Sequence, residues 1–160
     1  MATLSELSAR DRRFVEGYAW RRIHPTPWHV LDTPLSESRV ALISSAGMVT
    51  PDQEPFSRSV SGGDVSFRVL PADTDLATLR LTHKSRAFSR DGIHADPNLA
   101  LPLDRLRELA AEGTIGSVSP RHLSFMGSVT APGRLVAKTA PAAVDVLEED
   151  GVDIALLVPV

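Results

Sequence analysis

The chain has 160 residues, 42% of them apolar and 23% charged, which is the composition of one ordinary globular domain. A net charge of −3 argues against nucleic acid or an anionic membrane surface as a partner, and the absence of cysteine removes disulfides and thiol chemistry from these residues. No run approaches the roughly eighteen apolar residues of a membrane helix, and Met1–Arg10 lacks the apolar core of a signal peptide, so a cytoplasmic location is expected.

In chain order, Leu4, Leu7, Phe14, Val15 and Tyr18 predict a short amphipathic helix. Arg10, Arg12, Arg13, Arg21 and Arg22 cluster here, but Asp11 and Glu16 interrupt them, as on a solvated helix face. Three prolines from Pro25 to Pro34 then impose an extended connector. Residues 1–36 are read as helix and connector, and residues 37–160 as an α/β domain.

Ser38–Ser45 is a strand, broken by Ala46-Gly47. The loop that follows runs to Gly63, about fifteen residues, a length more often functional or mobile than idle. Val65–Leu70 and Thr78–Thr82 alternate as half-exposed strands and could form an antiparallel hairpin, with His83 at the carboxyl end of the second. Residues 84–97 read as polar and irregular. Pro102–Gly113 is the strongest helix: proline in its first turn, Leu103, Leu106, Leu109 and Ala110 on one face, and Gly113 to stop it. Residues 115–129 are short and mixed, with Pro120-Arg121-His122 in a turn. A further helix ends at Asp150; it starts near Ala131 or at Thr139, and Pro141 favours the later start with Thr139 as N-cap.

Gly151–Pro159 is a near-continuous apolar strand, of the kind buried on both faces of a parallel sheet. Strands separated by helices give the fold class: α/β, with a parallel or mixed Rossmann-like sheet and flanking helices. Chemistry in such sheets lies beyond the carboxyl ends of the strands. The sequence stops at Val160, one residue past that strand's closing proline. The domain is therefore expected to be truncated there, exposing apolar surface and favouring an oligomer.

The polar residues leave several readings open. His83, His94, Asp96 and His122 are of metal-ligand type, which would suit a metal-dependent hydrolase, but no His-Glu-x-x-His spacing supports it. Asp96-Pro97-Asn98 reads as a turn ahead of the Pro102 helix, and equally as part of a polar site near His83. Arg121 could clamp a substrate carboxylate or pair with a nearby acid. Gly62-Gly63-Asp64 lacks the spacing and lysine of a phosphate loop, and Ser44-Ser45 lacks the glycines of a nucleophile elbow.

Several stretches, in order, resemble the selenoprotein B family of glycine, sarcosine and betaine reductases and D-proline reductase. They are Pro34–Gly47, Asp52–Phe56, Gly63–Arg68, Leu79–His83, Asp96–Asn98, Pro102–Leu109, Gly116–Gly127, Ala140-Pro141 and Gly151–Pro159. After His83 the sequence departs, with Lys84-Ser85-Arg86 where the family suggests another histidine and an aromatic residue. The resemblance implies reductive C–N cleavage of a small amino-acid-like substrate. A selenocysteine or cysteine just after Val160 would attack the α-carbon and displace the amine. A thioredoxin-type thiol partner or second reductase subunit would regenerate that group. His83 and His122 become catalytic candidates, and Asp96, Asn98 and Arg121 substrate-binding ones. No cofactor is implied within these residues, which alone would be inactive. The alternatives are a non-catalytic domain of the same fold that binds small carboxylates or a partner, and the histidine-based hydrolase.

Overall fold

The computed structural model describes residues 3–18, 22–85 and 90–160, and the chain divides into two compact units, Met1–Val30 and Leu31–Val160. In the first, a 3-10 turn at Leu4–Glu6 precedes α1 (Ala9–Gly17). The expected single helix is interrupted at Leu7, whose backbone is extended, and restarts at Ser8. Ser8 Oγ accepts from the amide of Asp11 at 3.2 Å, the standard N-cap contact.

The second unit contains β1 (Arg39–Ser44), β2 (Met48–Val49), β3 (Phe67–Pro71), β4 (Arg80–Leu81), α2 (Asp91–Ala95), α3 (Leu103–Ala111), β5 (Ser117–Val118), β6 (Arg121–Phe125), α4 (Ala140–Glu149) and β7 (Ile154–Val158). A mixed sheet is built on β1. Along one side β7 pairs with it in parallel over five residues. Along the other, β5 pairs with Arg39 and Val40, and β6 with Ile43 and Ser44, again in parallel. Outside β6 lies β3, antiparallel. β2 and β4 form a separate antiparallel pair.

The alternation of side chains along β1 divides the core. Val40 and Leu42 pack with Leu103 and Leu106 of α3. Ala41 packs on the opposite face with Leu123 of β6 and Ala143 and Leu147 of α4. Helices therefore flank both sides of the sheet, and both helices end on glycines in the left-handed region: Gly113 at φ +74° and Gly151 at φ +62°. Where β5 begins, the backbones come too close for any side chain. A Cβ on Gly116 would lie 2.2 Å from the carbonyl carbon of Glu37.

Several expectations are corrected. The Val65–Thr82 hairpin does not form: β3 pairs with β6 and β4 with β2, and between them the 3-10 turn Leu76–Thr78 buries Leu76 in the core. The long loop after Gly47 opens with β2. Residues 84–97 include α2, with Ile93 buried, though 86–89 lie outside the described residues. Arg121 and His122 belong to a buried strand, not a turn. Thr139 has helical backbone and no capping bond, since Leu135–Thr139 is a wide π-turn running straight into α4, with Pro141 in its first turn. β7 is not buried on both faces: it pairs with β1 alone, and Leu157 is 68% exposed. Among the described residues no helix is long and apolar enough to cross a membrane.

Candidate functional site at the carboxyl edge of the sheet

Three parallel strands, β1, β6 and β7, finish at one edge, and serines and a glycine tie their ends together. Ser44 Oγ donates to the carbonyl of Ala100 at 2.6 Å, anchoring the approach to α3. Ser45 Oγ accepts from the amide of Val160 at 2.8 Å, and the Ser45 amide donates to Val158 at 3.1 Å. Gly47, at φ +68°, donates to the carbonyl of Phe125 at 2.8 Å. Its own carbonyl accepts both the amide and the hydroxyl of Thr82, at 2.9 and 2.8 Å. A Cβ there would come within 3.2 Å of the His83 Cα. Glycine thus lets the end of β1 lie directly against His83.

His83 is 2% exposed. Its Nδ1 accepts from the amide of Ser85 at 3.0 Å, which leaves the proton of the neutral ring on Nε2. Burial lowers its pKa, the Ser85 bond opposes that shift, and the charge of Arg90 adds to it. The Arg90 guanidinium donates to the carbonyls of His83 and Ser85 at 2.7 and 3.0 Å, fixing the backbone on either side of Lys84.

Beside this segment opens a cavity of about 560 Å³, walled by Phe56, Ser57, Arg58, Ser59, Thr82 and Arg90 among others. The Phe56 ring is held by the Arg68 guanidinium, 4.5 Å above its centre. A second cavity of about 500 Å³ lies between α4 and the carboxyl ends of β1, β6 and β7 and is almost wholly apolar, with Ser45, Phe125, Leu135, Leu147 and Val158 among its walls.

The other candidates lie elsewhere. Asp96 and Asn98 form the Asx turn. Asp96 Oδ1 accepts from the amide and side chain of Asn98 at 3.0 and 3.1 Å. Asn98 in turn caps α3, its Oδ1 accepting from the Asp104 amide and its Nδ2 donating to the Asp104 carboxylate, both at 3.1 Å. Arg121 opens β6 and so stands at the amino end of the sheet. It grips Asp150 through Nε and Nη2 at 2.8–3.0 Å and also meets Glu149 at 3.0 Å. Those bonds, from Asp150 first, raise its pKa further above the ordinary arginine value.

His122 is fully buried between the two edges. The Pro120 carbonyl turns to Ala72 at 2.9 Å, so the Leu42 amide takes His122 Nδ1 as its acceptor instead, at 3.0 Å. Burial, helped by the positive charge of Arg107, pushes the His122 pKa down to about 4. Its Nε2 has no hydrogen-bond partner among the described residues.

His83 is thus the one candidate lying against the end of β1. Among the described residues, no three His, Asp or Glu side chains are placed to hold a metal ion, so the histidines are not gathered into one site. The cavity residues Arg58 and Arg90 were missed by sequence reasoning. Their only signal was the length of the loop that carries Arg58.

These features define an α/β protein whose central strands end beside an apolar cavity, with a separate polar cleft at the end of β4. Residues 17–159 match the glycine/sarcosine/betaine reductase selenoprotein B family, and the chain belongs to that family. It is 31% identical over 133 residues to the D-proline reductase subunit gamma of Acetoanaerobium sticklandii, covering 83% of this chain and 53% of that protein. It is 30% identical over 112 residues to the sarcosine reductase complex component B subunit beta of Peptoclostridium acidaminophilum, covering 70% and 25%. A third relative, the glycine reductase complex component B subunit gamma of Carboxydothermus hydrogenoformans, is 31% identical over 144 residues, covering 87% and 31%. The chain thus spans about half the length, or less, of the curated relatives it matches. No solved structure matches it.

Proposed function

We propose that these residues form the substrate-holding part of a reductase subunit that cleaves a C–N bond in a small amino-acid-like substrate. The redox cysteine or selenocysteine would be carried just after Val160. When present, that group supplies the nucleophile: its C–S or C–Se bond forms as the C–N bond breaks, and a thioredoxin-type dithiol or second subunit supplies the two electrons that regenerate it. The observation that carries the reading is the carboxyl edge itself. Val158 and Val160 are bonded to Ser45 at 3.1 and 2.8 Å, two residues before the glycine that lies against His83. A residue following Val160 starts from that edge, where α/β sheets place their chemistry. The family membership and the names of the relatives support the same reading.

Within these residues His83 is assigned a hydrogen bond to the departing amine. With Nδ1 taken by the Ser85 amide and a lowered pKa, the resting ring is neutral imidazole, which donates a hydrogen bond through Nε2 without giving up its proton.

Two measurements test the proposal. The gene is sequenced past codon 160 and the C-terminus of the expressed protein read by mass spectrometry. An in-frame cysteine, or a UGA codon read as selenocysteine, supports the assignment; a chain ending at Val160 sinks it and leaves the non-catalytic binding domain. In an active full-length protein, His83→Leu, which removes that donor, is expected to lower kcat by about tenfold, the scale of one hydrogen bond. Unchanged turnover removes His83 from the mechanism.

A further inference from the structure

We infer that the cavity beside Thr82 is a binding site for a small carboxylate, anchored by Arg58 and Arg90. Two arginines and the hydroxyl residues Ser57, Ser59 and Thr82 line it together, and no acid is among its lining residues. The nearest loop carboxylate, Asp64, is already committed. Its Oδ2 accepts from the Ser57 amide at 2.8 Å and its Oδ1 from the amide and hydroxyl of Ser66 at 2.9 and 2.5 Å. Arg58 has no hydrogen bond or ion pair among the described residues. Arg90 bonds only backbone carbonyls through Nη2 in the contacts described, which hold its side chain in place but leave its charge without a carboxylate.

Arg105, Arg107 and Arg121 each face a carboxylate at 3.0 Å or less. Arg39, Arg68 and Arg80 bond carbonyls and hydroxyls, as Arg90 does, but none of the three lines this cleft. A pair of guanidinium groups in one cleft is a fork for a planar anion. Phe56, buried and stiffened by Arg68, gives the cleft an apolar wall for a short carbon skeleton. No glycine-rich run of backbone amides accompanies the arginines, so a planar carboxylate suits the site better than a phosphate. The volume, about 560 Å³, admits a small molecule with several waters.

The binding claim stands on these contacts alone; equating the site with the substrate's carboxylate anchor rests on the proposed reductase function. Under that equation Arg90 links ligand and chemistry, since the guanidinium that meets the carboxylate also holds the His83 carbonyl at 2.7 Å.

The test is a titration of the 160-residue chain with sodium propionate, followed by amide NMR, with methylammonium chloride and sodium phosphate as separate probes. Saturable propionate binding is expected, with the shifts centred on Ser57, Ser59, Thr82 and Arg90 and no response to methylammonium. Arg58→Met should weaken it by about tenfold or more, the scale of one charge-assisted hydrogen bond. Arg58→Lys, which keeps the charge and loses the fork, should fall between. Arg134→Met, a matched loss of one exposed charge, should change nothing. Unchanged affinity in Arg58→Met, shifts centred elsewhere, or tighter binding of phosphate than of propionate overturns the site. The link to turnover is read separately in an active full-length protein. There Arg58→Met should raise KM with little change in kcat, whereas an unchanged KM beside intact propionate binding keeps the site and dissolves the link.

Discussion

Two regions of the molecule, the amino end of the parallel strands and the cleft at the end of β4, use arginine in different ways. At the amino end Arg121 meets the carboxylates of Asp150 and Glu149, while the Arg39 side chain bonds the carbonyl of Asp150 and the hydroxyl of Ser117. The Arg39 amide also meets the Asp153 carboxylate at 2.7 Å, so the end of α4 and the start of β7 are tied to β1. At the end of β4, Arg58 and Arg90 line a cleft that holds no acid among its lining residues. Charge pairing of the first kind secures strand order and register. Arg58 and Arg90 meet no carboxylate among the described contacts, so an anion in the cleft would be their first partner of opposite charge. The difference separates residues that hold the fold from residues that can serve it.

The comparison breaks most severely where the backbone has no room. Gly116→Ala places a Cβ 2.2 Å from the Glu37 carbonyl carbon, and neither backbone can move without losing the Gly116 amide's bond to Ser38. A loss of about 4 kcal/mol or more is expected, in the range reserved for steric failure in a core. Urea denaturation checks it, and a variant within about 1 kcal/mol of the parent would show that this close approach is not rigid.

His122 gives the next effect and a pH signature. His122→Ala removes the acceptor of a buried amide and opens a cavity, for a loss of about 3 kcal/mol. The native ring is neutral with a pKa of about 4, below the ordinary histidine value of 6.5. The unfolded chain therefore takes up the proton first as pH falls. The stability this group contributes is complete above pH 6.5 and is lost progressively between there and about pH 4. Buried His83, shifted the same way, adds to the slope. In His122→Gln, whose amide oxygen can still accept from Leu42, that part of the slope should vanish while much of the stability remains. Persistence of the full slope would assign it to other groups. The carboxylates of Asp104 and Asp150, both depressed below 3.8, act only at lower pH.

How much of this was legible beforehand follows from the range of the interactions. β1 and α3 were readable because their apolar patterns are local and lie on the core they build, whereas the apolar run of β7 marked a strand without revealing that Leu156 and Leu157 are exposed. The β3–β6 pairing joins residues fifty or more positions apart and leaves no local mark, so adjacent strands looked like a hairpin. Arg121 and His122 were placed in a turn because Pro120 and the polar residues around it resemble one. The structure uses that proline to offset β5 from β6, and the histidine then fills the missing acceptor. The resemblance to a reductase family was legible from ordered short stretches, because motif order survives where no single stretch is diagnostic. The cleft was not. It depends on Arg58 and Arg90, thirty-two positions apart, meeting across the end of β4.

Asn98 is the finest test, because it stands near the carboxyl edge yet makes contacts of the structural kind. Its side chain bridges Asp96 and Asp104 and caps the first turn of α3. The Asn98 side chain is the first cause of the depressed Asp104 pKa, with Arg107 contributing less. Asn98→Ala should therefore cost about 1 kcal/mol, the usual worth of a helix cap, and let the Asp104 pKa rise toward its ordinary value, as carbon-detected NMR titration would show. Asn98→Asp should cost more at neutral pH, since it sets a third carboxylate between Asp96 and Asp104, and should recover part of the loss as that cluster is protonated in acid. Propionate affinity should be unchanged in Asn98→Ala. A loss of affinity there, with stability intact, would move Asn98 from the scaffold into the site and blur the division between the two regions.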